Sequence, residues 1–172
     1  MAETVSLRPA GADERPLIEG LLRFYVYDFS EMEPADSDRF DFDARGGYPP
    51  WPDLGDYWTR PGYHPLLILA GSKVAGFALV NTRSHQGGEV ERNMGEFFIA
   101  RKYRRGGVGA AAVALILAAL PGTWEVAVAA RNAVALAFWP GAIAAAPGVS
   151  ALIRLEGDGR HWRGPIWRFT SL

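Results

Sequence analysis

One carboxylate, four basic residues and three glycines fall between Glu96 and Ala110, in the run Glu96-Phe97-Phe98-Ile99-Ala100-Arg101-Lys102-Tyr103-Arg104-Arg105-Gly106-Gly107-Val108-Gly109-Ala110. The first part reads as a strand, the last as the start of a helix, and the basic residues crowd the turn between them. Glycines let a backbone reach positive φ and let a ligand approach with no Cβ in the way. The first N–H groups of a helix lack intrahelical partners and carry the positive end of its dipole. Such a turn is an anion cradle, suited to a phosphate or pyrophosphate. Glu96 is the second chemical feature. Strand glutamates are depleted, and this one sits among apolar neighbours, where burial raises a carboxylate's pKa towards the range of a general base.

Other chemistries are excluded residue by residue. A P-loop needs Gly-Lys-Ser/Thr at the helix start, and Gly109 is followed by Ala110. The dinucleotide pattern G-x-G-x-x-G fails because Ala112 holds its last place. No G-x-S-x-G elbow exists, and the chain has no cysteine, so disulfides, thiolate metal sites and a cysteine nucleophile are out. His64, His85 and His161 share no spacing of ligands or triads, so no metal is expected and they read as structural or surface residues.

The elements that must position this turn follow from hydrophobic period. Thr4 to Leu7 alternates as a short strand ending at Pro9. Asp13 offers an N-cap, and Leu17, Ile18, Leu21, Leu22 and Tyr25 lay one apolar stripe along a helix. Asp28 to Asp56, rich in proline and glycine, reads as a long loop. Leu66–Leu69 and Val74–Val80 form a hairpin about Gly71-Ser72, and a polar loop from Arg83 to Arg92 leads to a strand from Met94 to Ala100. The helix from Val108 to Leu120 carries no polar side chain, which predicts burial on every side. A strand from Trp124 to Ala129 feeds a helix from Ala133 to Trp139, stopped by Pro140-Gly141. Ala151–Leu155 and Ile166–Thr170 read as closing strands; Ala142 to Gly148 has no firm assignment. The order describes mixed α/β architecture on one central sheet, with residues 1–172 as a single domain.

Composition bounds the function classes. With 49% apolar and 22% charged residues the chain can bury a core unaided, and a net charge of −1 gives no field for nucleic acid. The opening residues, Met1 to Arg8, lack the basic and apolar regions of a signal peptide, and the Val108–Leu120 run is too short for a bilayer. A cytoplasmic protein is expected.

On three ordered motifs the chain resembles the GCN5-related N-acetyltransferase (GNAT) family. Arg104-Arg105-Gly106-Gly107-Val108-Gly109 is similar to the family's R/Q-x-x-G-x-G/A. Glu96 stands on the preceding strand, and Asn132-Ala133-Val134-Ala135-Leu136-Ala137-Phe138-Trp139 resembles Asn-x-x-Ala-x-x-Phe-Tyr. Leu7-Arg8-Pro9-Ala10 also looks like the family's first strand. The resemblance implies a mostly antiparallel mixed sheet with flanking helices and a splayed strand pair at the cofactor site. It implies acetyl-CoA as co-substrate, bound by the turn Arg104 to Ala110 through the backbone N–H groups of Arg105, Gly107, Val108, Gly109 and Ala110. Phe98 and Ile99 would pair with the pantetheine arm, Asn132 would bond its end and Phe138 would pack on it. Glu96 would be the catalytic base. Where the family often has a tyrosine acid this chain has Trp139; an indole N–H is a poor acid, and Trp139 reads as packing.

The resemblance further implies transfer of an acetyl group to a primary amine of a small molecule or peptide, without nucleic acid or membrane partners, and admits a homodimer. The Asp28–Asp56 loop, within a 28–60 region bordering the acceptor site, holds nine acids against two bases, Arg39 and Arg45. It is read either as a solubilising loop or as an acidic rim for a cationic amine, with Tyr25, Tyr27, Tyr48, Trp51, Tyr57 and Trp58 interleaved. The rival readings are a catalytically weak CoA-binding relative acting as a sensor, suggested by Trp139, and a nucleic-acid module using Arg101 to Arg105.

Overall fold

The computed structural model describes residues 4–172. The reading of the N-terminus rests partly on Met1 to Glu3, which lie outside the described residues. Seven strands form one sheet: β1 (Val5–Pro9), β2 (His64–Ala70), β3 (Lys73–Arg83), β4 (Glu89–Ile99), β5 (Gly122–Ala127), β6 (Val149–Glu156) and β7 (Pro165–Ser171), in the spatial order β1-β2-β3-β4-β5-β7-β6. Every pairing is antiparallel except β4 with β5. The helices are α1 (Arg15–Ser30), α2 (Val108–Ala119) and α3 (Ala133–Ala145). No helix among the described residues is long and apolar enough to cross a membrane.

The period of two in β2, β3 and β4 sorts their side chains into two cores. Leu67, Phe77, Leu79 and Phe98 face α1, whose Ile18 and Leu22 share that core with Leu54 and Tyr57. Leu66, Ile68, Ala78, Val80 and Ile99 face the other way, towards Val113, Ile116 and Leu117 of α2 and Ile143 of α3. Both sheet faces are thus covered where β4 leads into α2, which makes the turn between them a rigid mount.

Several elements differ from the sequence reading. Asp13 does not cap α1. It lies in a single 3-10 turn (Ala12–Glu14) begun by Gly11, and Glu14 folds back to accept the Gly11 N–H at 3.1 Å while its carboxylate pairs with Arg8. β3 continues past Val80 to Arg83 and β4 begins at Glu89, well inside the segment expected as a polar loop, with Arg83 opposite Glu89 and only Ser84–Gly88 as the connection. Cross-strand pairing of exposed residues extends the hairpin there, and polarity alone misreads it. α2 is not buried on every side: Ala110, Leu115, Ala118 and Ala119 are exposed or partly so, and small alanines make an apolar helix compatible with a solvent face.

Pro140 does not stop α3, which continues to Ala145. Proline has no N–H for the Leu136 carbonyl and costs a helix interior about 3 kcal/mol. Burial of Ala142 and Ile143 beyond it, with Ala146 just past the helix end, offsets that cost.

Candidate active site

β4 and β5 pair only at Arg92 with Trp124 and Asn93 with Glu125, then part. The gap opens a cavity of about 250 Å³, walled by Met94 to Phe97 on one side and Val126 to Ala129 on the other. At the point of parting β4 carries a bulge. Leu79 of β3 faces Glu96, its neighbour Val80 faces Met94, and Gly95 is the extra residue. Glycine is required there. A Cβ at 95 would stand 2.5 Å from Asn81 Nδ2 and 2.9 Å from the Tyr57 hydroxyl. Asn81 Nδ2 donates to Tyr57 Oη at 2.8 Å, and Asn93 Nδ2 donates to Asn81 Oδ1 at 2.9 Å, so a buried polar chain braces the bulge from behind.

Glu96 lines this cavity beside Tyr25 of α1. Burial pushes its carboxyl up to about 7, against the opposing hydrogen bond from Tyr25. The same enclosure, and the nearby carboxylate, hold the Tyr25 phenol well above its ordinary value. Near neutral pH Glu96 therefore exchanges a proton readily, while Tyr25 stays a neutral donor.

Beyond β4, the turn before α2 takes the shape its glycines allow. Gly107 caps the helix at φ +83°, Arg105 also has positive φ at +64°, and no side chain caps the N-terminus. A Cβ at Gly106 or Gly107 would meet nothing within 4 Å, so the backbone is open to an approaching group. Gly109 is different, since a Cβ there would touch the Phe138 ring at 3.3 Å. Val108 anchors the first helical turn in the core, with Gly109 half-buried and Ala110 exposed. The uncapped N–H groups and the helix dipole make this a place for an anion.

The basic residues of the turn divide their work. Arg101 donates twice to Asp28 Oδ1, from Nε at 3.0 Å and from Nη2 at 2.7 Å, and Arg104 reaches the other Asp28 oxygen. Arg104 Nε also donates to the Ile99 carbonyl at 2.6 Å, and its guanidinium lies over the Phe98 ring. Arg104 therefore ties the end of α1 to the turn, and Arg105 is left exposed at its lip. Phe98 and Ile99 pair with Phe77 and Gly76 of β3, while on their other side β5 has turned away.

α3 closes the far side of the gap. Asn132 is its N-cap, accepting the Ala135 N–H at 3.0 Å, and both residues line the cavity. Phe138 stacks on Phe97 with ring centres 6.0 Å apart, and buried Trp139 meets Phe97 edge-on at 5.1 Å. Trp139 thus packs as expected and at the same time forms part of the cavity wall.

Sequence reasoning missed a buried ionic network beneath the split. Glu125 has no solvent exposure, yet its carboxylate accepts from Arg168 Nε at 3.1 Å, Arg168 Nη2 at 2.9 Å, Ser84 Oγ at 3.0 Å and the His85 backbone N–H. Burial pushes its pKa up, but the His85, Arg168 and Ser84 hydrogen bonds prevail and hold it at about 2. His85, expected to be a structural or surface residue, lies with Nδ1 3.3 Å from Glu125 and its ring edge-on to Trp162, and it lines the cavity. Its carboxylate partner stands 40 positions away, so no local spacing could reveal it.

The acidic loop contributes its aromatics to the cavity, not its acids. Phe40, Trp51 and Arg39 line the wall with Phe29 of α1. Asp28 is matched by Arg101 and Arg104, Glu33 by Arg39 and Arg131, and Asp53 and Asp56 by Arg83. These four acids are committed to holding the loop, while Glu31, Asp36, Asp38, Asp41 and Asp43 are exposed.

A single mixed sheet, parted between its two parallel strands beside a glycine-led helix, defines the class. The family model described as Acetyltransferase (GNAT) family matches residues 25–140, and the chain belongs to that family. No curated protein matches it at a significant level. Among solved structures, an acetyltransferase from Thermus thermophilus is 18% identical with a TM-score of 0.65 over 100% of both chains. The aminoglycoside acetyltransferase AAC(6')-Ib, solved with ribostamycin and coenzyme A, is 12% identical, with a TM-score of 0.61 over 98% of this chain and 94% of that one. A spermidine N-acetyltransferase from Vibrio cholerae, solved with CoA and spermine, is 12% identical, with a TM-score of 0.56 over 96% and 93%. At these identities the likeness is one of fold.

Proposed function

We propose that this protein transfers an acetyl group from acetyl-CoA directly to a primary amine, with Glu96 as general base. One observation carries the reading: a carboxylate held near neutrality stands in the cleft that the β4 bulge opens, on the strand that leads to an uncapped glycine-led helix start. In this account the pyrophosphate rests on the backbone of Arg105, Gly106, Gly107, Val108, Gly109 and Ala110. Arg104 supports that turn through Asp28, and the pantetheine arm lies in the gap along Phe98 and Ile99. Asn132 and Phe138 border its thiol end.

An aliphatic ammonium, with a pKa near 10, must lose a proton before it can attack. Glu96 takes that proton, directly or through a water. The amine lone pair adds to the thioester carbon, and β4 N–H groups beside the gap are suited to holding the oxyanion. The C–S bond then breaks. The departing thiolate, with a pKa of about 8.5, takes up the proton that the nitrogen loses on becoming an amide, and Glu96 returns its own to solvent. No tyrosine acid is needed for so good a leaving group, which is consistent with Trp139 in the wall. The composition fits a cytoplasmic setting.

Incubation with acetyl-CoA and an amine panel, following free thiol release, tests the proposal. Amine-dependent thiol release with recovery of the N-acetyl product is expected. CoA binding without turnover of any amine would favour the reading of the chain as a CoA-binding relative.

A further inference from the structure

The cavity wall assigns a class to the acceptor. Resting on the transfer reading, we propose that the acceptor is a single amine borne on an aromatic or flat apolar stem, and that polyamines and other multiply cationic amines are poor substrates. The charged residues lining the cavity are Glu96 and Arg39. One carboxylate serves one ammonium, and a second cationic centre would find Arg39 in place of a second acid. Glu33, the loop acid paired with Arg39, is largely buried and already accepts from Arg39 at 3.4 Å and Ser37 at 3.3 Å, with Arg131 3.6 Å away.

The remaining surface suits a ring. Tyr25, Phe29 and Phe40 run edge-to-face in sequence, with centres 4.7 and 6.1 Å apart, and Trp51 joins Tyr25 at 6.1 Å. Trp162 lies on the far side against His85. Aromatic faces can also hold a cation, and at Phe40 that place is taken by the Arg39 guanidinium, 4.7 Å from the ring centre. A flat stem enclosed by these rings would direct its amine to Glu96.

The test compares kcat/KM for tryptamine and phenethylamine with that for spermidine and ribostamycin, alongside calorimetry of CoA and of each amine on the CoA-bound protein. Aryl amines are expected to lead by at least tenfold. Phe40→Ala should raise KM for tryptamine about tenfold with CoA affinity unchanged, and Arg39→Glu should lower KM for spermidine. A lead for spermidine or ribostamycin overturns the acceptor class and leaves acetyl transfer standing. Aryl amines that bind the CoA complex no better than spermidine overturn it even without turnover. Aryl amines that bind best but are never acetylated support the class and count against the transfer reading, and loss of CoA binding itself overturns both.

Discussion

Arg168 of β7 donates two hydrogen bonds to the wholly buried Glu125 of β5, and the pair locks the strand at the point where β4 and β5 separate. A buried carboxylate is stable as an ion only while such partners remain. Arg168→Met should therefore cost about 3 kcal/mol, read as a lower urea midpoint at unchanged slope. Because Glu125 is depressed on folding, from 4.5 to about 2, its contribution is fully present above pH 4.5 and is lost as pH falls towards 2. Acid titration of stability should show this loss in the wild type and much less of it in Glu125→Gln. Equal acid sensitivity in the two proteins would remove Glu125 from the account.

The glycine turn gives the second prediction. Gly107→Asp adds a carboxylate where the backbone is open to a ligand, at a left-handed position that aspartate tolerates better than most residues. Calorimetry should show CoA affinity reduced by more than tenfold while the fold persists. Undiminished affinity would mean that the pyrophosphate lies elsewhere.

Trp139 separates packing from chemistry. Trp139→Tyr trims a ring buried against Phe97 and Phe138 and should cost about 1–2 kcal/mol, with turnover within a few-fold of wild type. Loss of turnover in a folded variant would show that the indole itself shapes the site.

Pro140 offers a test of fold energetics. Pro140→Ala restores an N–H for the Leu136 carbonyl inside a helix that tertiary packing already holds, and should raise stability by about 1–2 kcal/mol, or a few degrees in Tm. A lower Tm would show that the proline sets a bend the core needs.

How much of this was legible depended on the range of the interactions. The glycine turn, the hairpin about Gly71-Ser72 and the exceptional glutamate in β4 are local signals, and each stands where the sequence puts it. The continuation of α3 past Pro140 was not legible, because what sustains it is burial of Ala142 and Ile143, decided by the whole fold. The same holds for Glu125 with His85 and Arg168, which chain separations of about 40 positions hide from any motif. The acids of the 28–56 loop were visible as a composition, but the arginine partners of Asp28, Glu33, Asp53 and Asp56 were not, because those partners lie elsewhere in the fold or on the far side of a turn.

Glu96 as the base is the central claim, and the pH profile of kcat/KM with a turned-over amine tests it most directly. The carboxyl at about 7 must be unprotonated to act, so the wild-type rate should rise with pH through that value. Glu96→Gln should keep its CoA affinity, lose about 10²- to 10⁴-fold in kcat/KM and lack that step in its profile. A Glu96→Gln variant with near-wild-type kcat/KM and the same step near pH 7 would contradict the account.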